Sequence, residues 1–112
     1  MDLRVAQSVT ASGMPVLHVS GEIDLATVPT FHAALHRLVN DHPAAVVAVD
    51  LDGVIALDDA GLGLLLGGAA KARERHGDVV IVCSDERLLA RFALTRLDQA
   101  IDIRRSLTSW TP

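Results

Sequence analysis

Leu3, Val5 and Val9 are interleaved with polar residues, and after Ala11-Ser12-Gly13 the alternation resumes from Met14 to Ser20 through Val16 and His18. Period-two alternation on both sides of a small turn predicts a β-hairpin, because successive strand side chains point to opposite faces. The period then changes. Phe31, Leu35, Leu38 and Val39 recur at helical spacing, with Thr27 placed to cap the helix and Pro29 in its first turn. Asp41-His42-Pro43 stops this helix near Asn40, since a residue before proline is pushed out of the helical region. Ala45 to Leu51 is an apolar run bounded by Asp50 and Asp52, the pattern of a strand covered on both faces.

A second helix is expected from Ala60 to about His76: Leu62, Leu65, Leu66, Ala69 and Ala72 share a face, while Lys71, Arg73, Glu74 and Arg75 mark its wetter end. Gly77 fits its C-cap. Asp78 to Cys83 reads as another buried strand, Ser84-Asp85-Glu86 opens a short helix carrying Leu88, Leu89 and Phe92, and Ala100 to Ile103 reads as a last strand. Hairpin, helix, strand, helix, strand, helix, strand implies right-handed crossovers. The expected fold is α/β, a mixed β-sheet of about five strands flanked by helices, in a single domain over residues 1–112.

Composition narrows the function classes. Half of the residues are hydrophobic, against a formal charge of -4. The aromatic residues are Phe31, Phe92 and Trp110, so the core is aliphatic and platforms for stacking bases are absent. With no basic run, nucleic acid is not an expected partner. One cysteine, Cys83, rules out a disulfide framework within the chain and reads as buried and inert. Met1-Asp2-Leu3-Arg4 has no basic start followed by an apolar stretch, and no segment is apolar over a bilayer's thickness. A cytoplasmic location without membrane partners follows as the expectation.

The chemically informative stretch is Asp50-Leu-Asp-Gly-Val-Ile-Ala-Leu-Asp58-Asp59-Ala60-Gly61-Leu62-Gly63. A strand ends, a short loop follows, and two carboxylates precede a glycine-rich helix start, where free N–H groups and the helix dipole favour negative charge. One Asp, either Asp58 or Asp59, suffices as an N-cap, with Gly61, Gly63, Gly67 and Gly68 letting the helix pack closely on the sheet.

The same stretch resembles the STAS family: a V-D-L strand, a loop, then Asp, Ser or Thr, a small residue, Gly, Leu or Val, and Gly. Asp58 matches the leading Asp, Asp59 the hydroxyl acceptor, Ala60 the small residue, and Gly61-Leu62-Gly63 the helix start. Ser20-Gly21-Glu22-Ile23-Asp24-Leu25-Ala26-Thr27 is similar to the family's Gly-Glu-Leu-Asp-Leu segment. In the anti-sigma factor antagonist subgroup such a domain binds an anti-sigma factor that is also a Ser/Thr kinase, frees the sigma factor, and is switched off by phosphorylation. The resemblance implies no catalysis and no cofactor or metal. It also implies a monomer or weak dimer docking through Asp24, Leu25, Ala26, Thr27, Asp58, Asp59, Ala60, Gly61 and Leu62.

Asp59 departs from the pattern. A carboxylate takes no stable phosphate ester from such a kinase, and it carries one negative charge where phosphoserine carries about -1.5 to -2. Either Asp59 mimics the phosphorylated state, or the partner has adapted and the chain is constitutively active. Arg104 to Pro112 also departs, being too short for the family's final amphipathic helix and leaving Leu107 and Trp110 to cover that side of the sheet. Outside the antagonist role, the resemblance allows a sensory or ligand-binding signalling module.

Other constellations carry less. His32 and His36 stand at i,i+4, a metal-capable spacing with no HExxH pattern or Cys-rich partner. Gly61-Leu-Gly63 lacks the Gly-Lys-Ser/Thr of a phosphate loop. Asp50, Asp52, Asp58 and Asp59 form an acidic group of the receiver type, but Lys71, the one lysine, falls inside a helix. No Ser-His-Asp or Cys-His triad is suggested by spacing.

Overall fold

The structure, a computed structural model, describes residues 2–107, and Trp110 lies outside them. A hairpin of β1 (Leu3–Val9) and β2 (Pro15–Ile23) is followed by α1 (Val28–Asp41), β3 (Val46–Leu57), α2 (Asp59–Glu74) and β4 (Asp78–Val82), then α3 (Glu86–Leu94), α4 (Leu97–Ala100) and β5 (Ile103–Arg104). The sheet order is β1-β2-β3-β4-β5, with β1 antiparallel to β2 and all later neighbours parallel. Because the parallel strands advance in one direction and such crossovers are right-handed, successive helices fall on one face of the sheet.

The burial pattern agrees. Phe31, Leu35 and Leu38 of α1, Leu65 and Ala69 of α2, and Phe92 of α3 join Val47, Val49, Leu51, Val79 and Ile81 in one core. Burying each large side chain contributes roughly 1.5–3 kcal/mol. On the opposite face Val16, Ala48, Val80 and Val82 form a small second cluster under Met14 and Leu107. The predicted double coverage of β3 is thus met by helices on one side only. At Ala48 the other cover is side chains of the hairpin turn and the chain's far end.

Several boundaries differ from expectation. β3 does not stop at Leu51 to leave a loop; it runs to Leu57, its last residues pairing with Gly21, Glu22 and Ile23 of a correspondingly longer β2. The register shifts between His18 and Ser20 and again between Gly21 and Glu22, each inserting an extra residue on β3. Two bulges destroy period-two alternation, so burial recurs at Leu51, Val54 and Leu57 and resembles no strand pattern. The expected strand from Ala100 is also displaced: Ala100 ends α4, and β5 is only Ile103–Arg104.

Gly77 does not supply the left-handed residue ending α2. His76 does, with φ 67°, and Gly77 donates its N–H back to Ala72. What demands glycine is the approach of Ala45, whose carbonyl oxygen would lie 2.4 Å from an added Cβ. Leu66, assigned to the buried face of α2, is 42% exposed. Gly61 does pack tightly beneath the helix, Gly68 packs on Leu35 of α1, and Gly63 and Gly67 face open space.

Candidate functional site

The segment between β2 and α1 is held by its own polar groups. Asp24 Oδ1 accepts from the N–H groups of Ala26 and Thr27, at 2.9 and 3.0 Å. Thr27 Oγ1 donates to the carbonyl of Glu22 at 2.7 Å and accepts from the Asp24 N–H at 2.9 Å. Thr27 stands at the N-cap of α1, as expected, but its hydroxyl faces back into the loop and makes no capping bond. It is buried, so Leu25, 77% exposed, and Ala26 are pushed outward on a fixed turn.

A second segment abuts the first. The N–H of Asp58 donates to the carbonyl of Ile23 at 2.8 Å, tying the end of β3 to the end of β2. Asp58, not Asp59, is the N-cap of α2: its Oδ1 accepts from Ala60 N–H at 3.1 Å. Asp59 is the first helical residue, where the dipole favours a carboxylate, and its side chain is 88% exposed. Beneath it, a Cβ on Gly61 would stand 2.6 Å from Leu57 Cδ1 and 2.8 Å from Ile23 Cγ2. Gly61 and Leu62 are buried and Ala60 half-buried, so these residues shape the surface from below.

Sequence reasoning missed the third wall. Arg91 of α3 donates to Asp59 Oδ1 at 2.5 Å. Arg87 and Arg91, with Ile55, Ala56, Leu57 and Leu88, line a shallow hollow of about 320 Å³. Ile55 is 62% exposed. The i,i+4 spacing of Arg87 and Arg91 opposite Leu88 and Phe92 was readable; their meeting with α2 was not. The result is an exposed, mixed apolar and charged surface built from three chain segments around one carboxylate.

Residues 7–107 match the family described as Mlab, STAS domain. The chain belongs to the STAS domain family. It is 32% identical over 88 residues, 79% of this chain and 76% of the relative, to the anti-sigma-B factor antagonist of Listeria monocytogenes. Identity to the Bacillus subtilis protein of the same name is 29% over 87 residues, 78% of each chain. Among solved structures, an anti-sigma factor antagonist from Mycobacterium paratuberculosis aligns with a TM-score of 0.86 at 28% identity, covering 96% of this chain and 90% of that one.

Elsewhere on this STAS domain the four carboxylates of the receiver-type reading have separate partners. Asp50 bonds His18, Asp52 accepts from both N–H and hydroxyl of Ser84, Asp58 caps α2, and Asp59 meets Arg91. Among the described residues no metal-capable cluster of three or more such side chains occurs, and no helix is long and apolar enough to cross a membrane. His36 Nε2 lies 3.1 Å from Lys71 Nζ, and the His32 and His36 rings meet tilted, their centres 5.6 Å apart. Cys83 is fully buried, and burial is the main cause pushing its thiol up from the ordinary value.

Spacing along the chain suggests no Ser-His-Asp arrangement, yet the sheet assembles one. Ser8 Oγ lies 2.7 Å from His18 Nε2, and His18 Nδ1 lies 2.8 Å from Asp50 Oδ2. The three come from β1, β2 and β3, aligned by the pairings Ala6 with His18 and His18 with Asp50. Register across strands brings them together, and spacing along the chain carries no trace of it.

Proposed function

We propose that this chain is an anti-sigma factor antagonist: it binds a Ser/Thr-kinase-like anti-sigma factor in the cytoplasm and so frees a sigma factor. The docking surface is Asp24 to Thr27 together with Asp58 to Leu62, extended by Ile55, Arg87 and Arg91. Asp59 stands at the position of the phosphorylatable hydroxyl. The observation that carries the reading is the exposure of Asp59 beside the exposed Leu25 turn, the two joined by the Asp58 to Ile23 backbone bond.

The Asp59–Arg91 pair supports constitutive binding over mimicry of the phosphorylated form. A carboxylate with a guanidinium alongside is close to neutral as a pair, whereas phosphoserine brings about -1.5 to -2 and would leave the site negative even with one Arg beside it. The test is calorimetric titration against the kinase-like anti-sigma factors of the same genome, with and without ATP, using wild type and Asp59→Ser. Wild type is expected to bind one of them equally with and without ATP, and Asp59→Ser to bind and then be released by phosphorylation. Binding of neither form to any of them overturns the antagonist reading. Binding by Asp59→Ser alone overturns constitutive activity.

A ligand-binding signalling role is the second reading. It is favoured by a hollow of about 680 Å³ lined by Arg4, Ala6, His18, Ser20, Asp50 and Gly53. Native mass spectrometry of the purified chain with a retained small molecule would support it.

A further inference from the structure

We infer that Ser8 is an activated nucleophile, and that the helix-free face of the sheet takes the acyl group of an activated carboxylic ester. Asp50 can only accept a hydrogen bond, so His18 Nδ1 donates to it; in the neutral imidazole this leaves Nε2 as the acceptor, and the Ser8 hydroxyl donates to it. Nucleophile, base and orienting carboxylate stand in order at 2.7 and 2.8 Å, the arrangement that activates a serine irrespective of fold. Ser8 is exposed on the edge strand, while Asp50 is sheltered at 21% exposure.

Space for an acyl group adjoins. The 680 Å³ hollow is lined on the helix-free face by Arg4, Ala6, His18, Ser20 and Asp50. Ala6, which lines the hollow, shares the face of Ser8 on β1 and lies opposite His18. In the step itself, Ser8 Oγ bonds to the acyl carbon as the ester C–O bond breaks. His18 Nε2 takes the hydroxyl proton and returns it to the departing oxygen, and Asp50 balances the imidazolium between the two transfers. A water molecule following the same course releases the acid and restores Ser8.

The full chain is treated with a fluorophosphonate probe and the adduct located by peptide mass spectrometry. Ser12, in the hairpin turn with its hydroxyl on Thr10, is an internal control without a base. A positioned general base contributes roughly 10²–10⁴-fold, so labelling of Ser8 is expected to outpace Ser12 by at least about tenfold. It should vanish in Ser8→Ala and fall to the Ser12 rate in His18→Asn and toward it in Asp50→Asn, with folding of each variant verified by its urea midpoint. Labelling of Ser8 no faster than Ser12, or labelling unchanged in a folded His18→Asn or Asp50→Asn chain, overturns the inference and leaves a structural cross-strand link.

Discussion

Two glycines in the same helix carry opposite expectations. Gly63 has nothing within 4 Å of an added Cβ, so Gly63→Ala keeps the helix-propensity gain of about 1 kcal/mol. At Gly61 the same gain is set against contacts of 2.6 and 2.8 Å with Leu57 and Ile23, and overpacking a tight site costs roughly 1–3 kcal/mol. Urea unfolding should show Gly63→Ala more stable than wild type by up to about 1 kcal/mol and Gly61→Ala less stable, by about 1–2 kcal/mol. Cys83 yields a pH prediction. Its folded thiol is raised above the ordinary 9.0, so the folded chain keeps a proton that the unfolded chain gives up. Stability therefore falls as pH climbs through 9.0, and Cys83→Ala flattens that decline. With no tyrosine and Lys71 as the one lysine, little else titrates in that range. Unfolding midpoints measured between neutral pH and the alkaline limit check it.

At the scale of elements, what was legible depended on whether the signal was local. The hairpin around Gly13, α1 with Phe31, Leu35, Leu38 and Val39, and β4 from Asp78 obeyed period and turn chemistry and stood where the pattern put them. The end of β3 did not, because two bulges shift its residues out of alternation. β5 hid because two residues carry no period. The segments proposed for docking were legible as motif, with Asp58 resolved as the cap only by geometry. Arg91 was invisible, since no spacing states that α3 returns to the start of α2. Removing the cap tests this element directly: Asp58→Ala should destabilise the fold by about 1 kcal/mol. Arg91→Ala should change stability by less than about 1 kcal/mol, because an exposed ion pair contributes little. Thermal and urea melts of the pair would separate a residue that holds α2 from one that tunes its surface charge.

Over the whole molecule, the two proposed sites divide by end and by face of one sheet. The proposed docking surface sits where β2 and β3 finish, at Ile23 and Leu57, while Ser8 lies near Val16 at the start of β2. Seven residues of strand at about 3.3 Å each put roughly 23 Å between the two levels. Sites so separated, with no shared partner, are expected to add within about 0.3–0.5 kcal/mol. Asp59→Ser and Ser8→Ala should therefore have independent effects on stability, and the double variant should show their sum in urea unfolding. The rate of Ser8 labelling should likewise be the same in wild type and Asp59→Ser. A change in that rate would mean that the charge at the start of α2 reaches the far end of the sheet. The route would then be β3 itself, since it carries Asp50 in its first half and runs into Asp58 at its end.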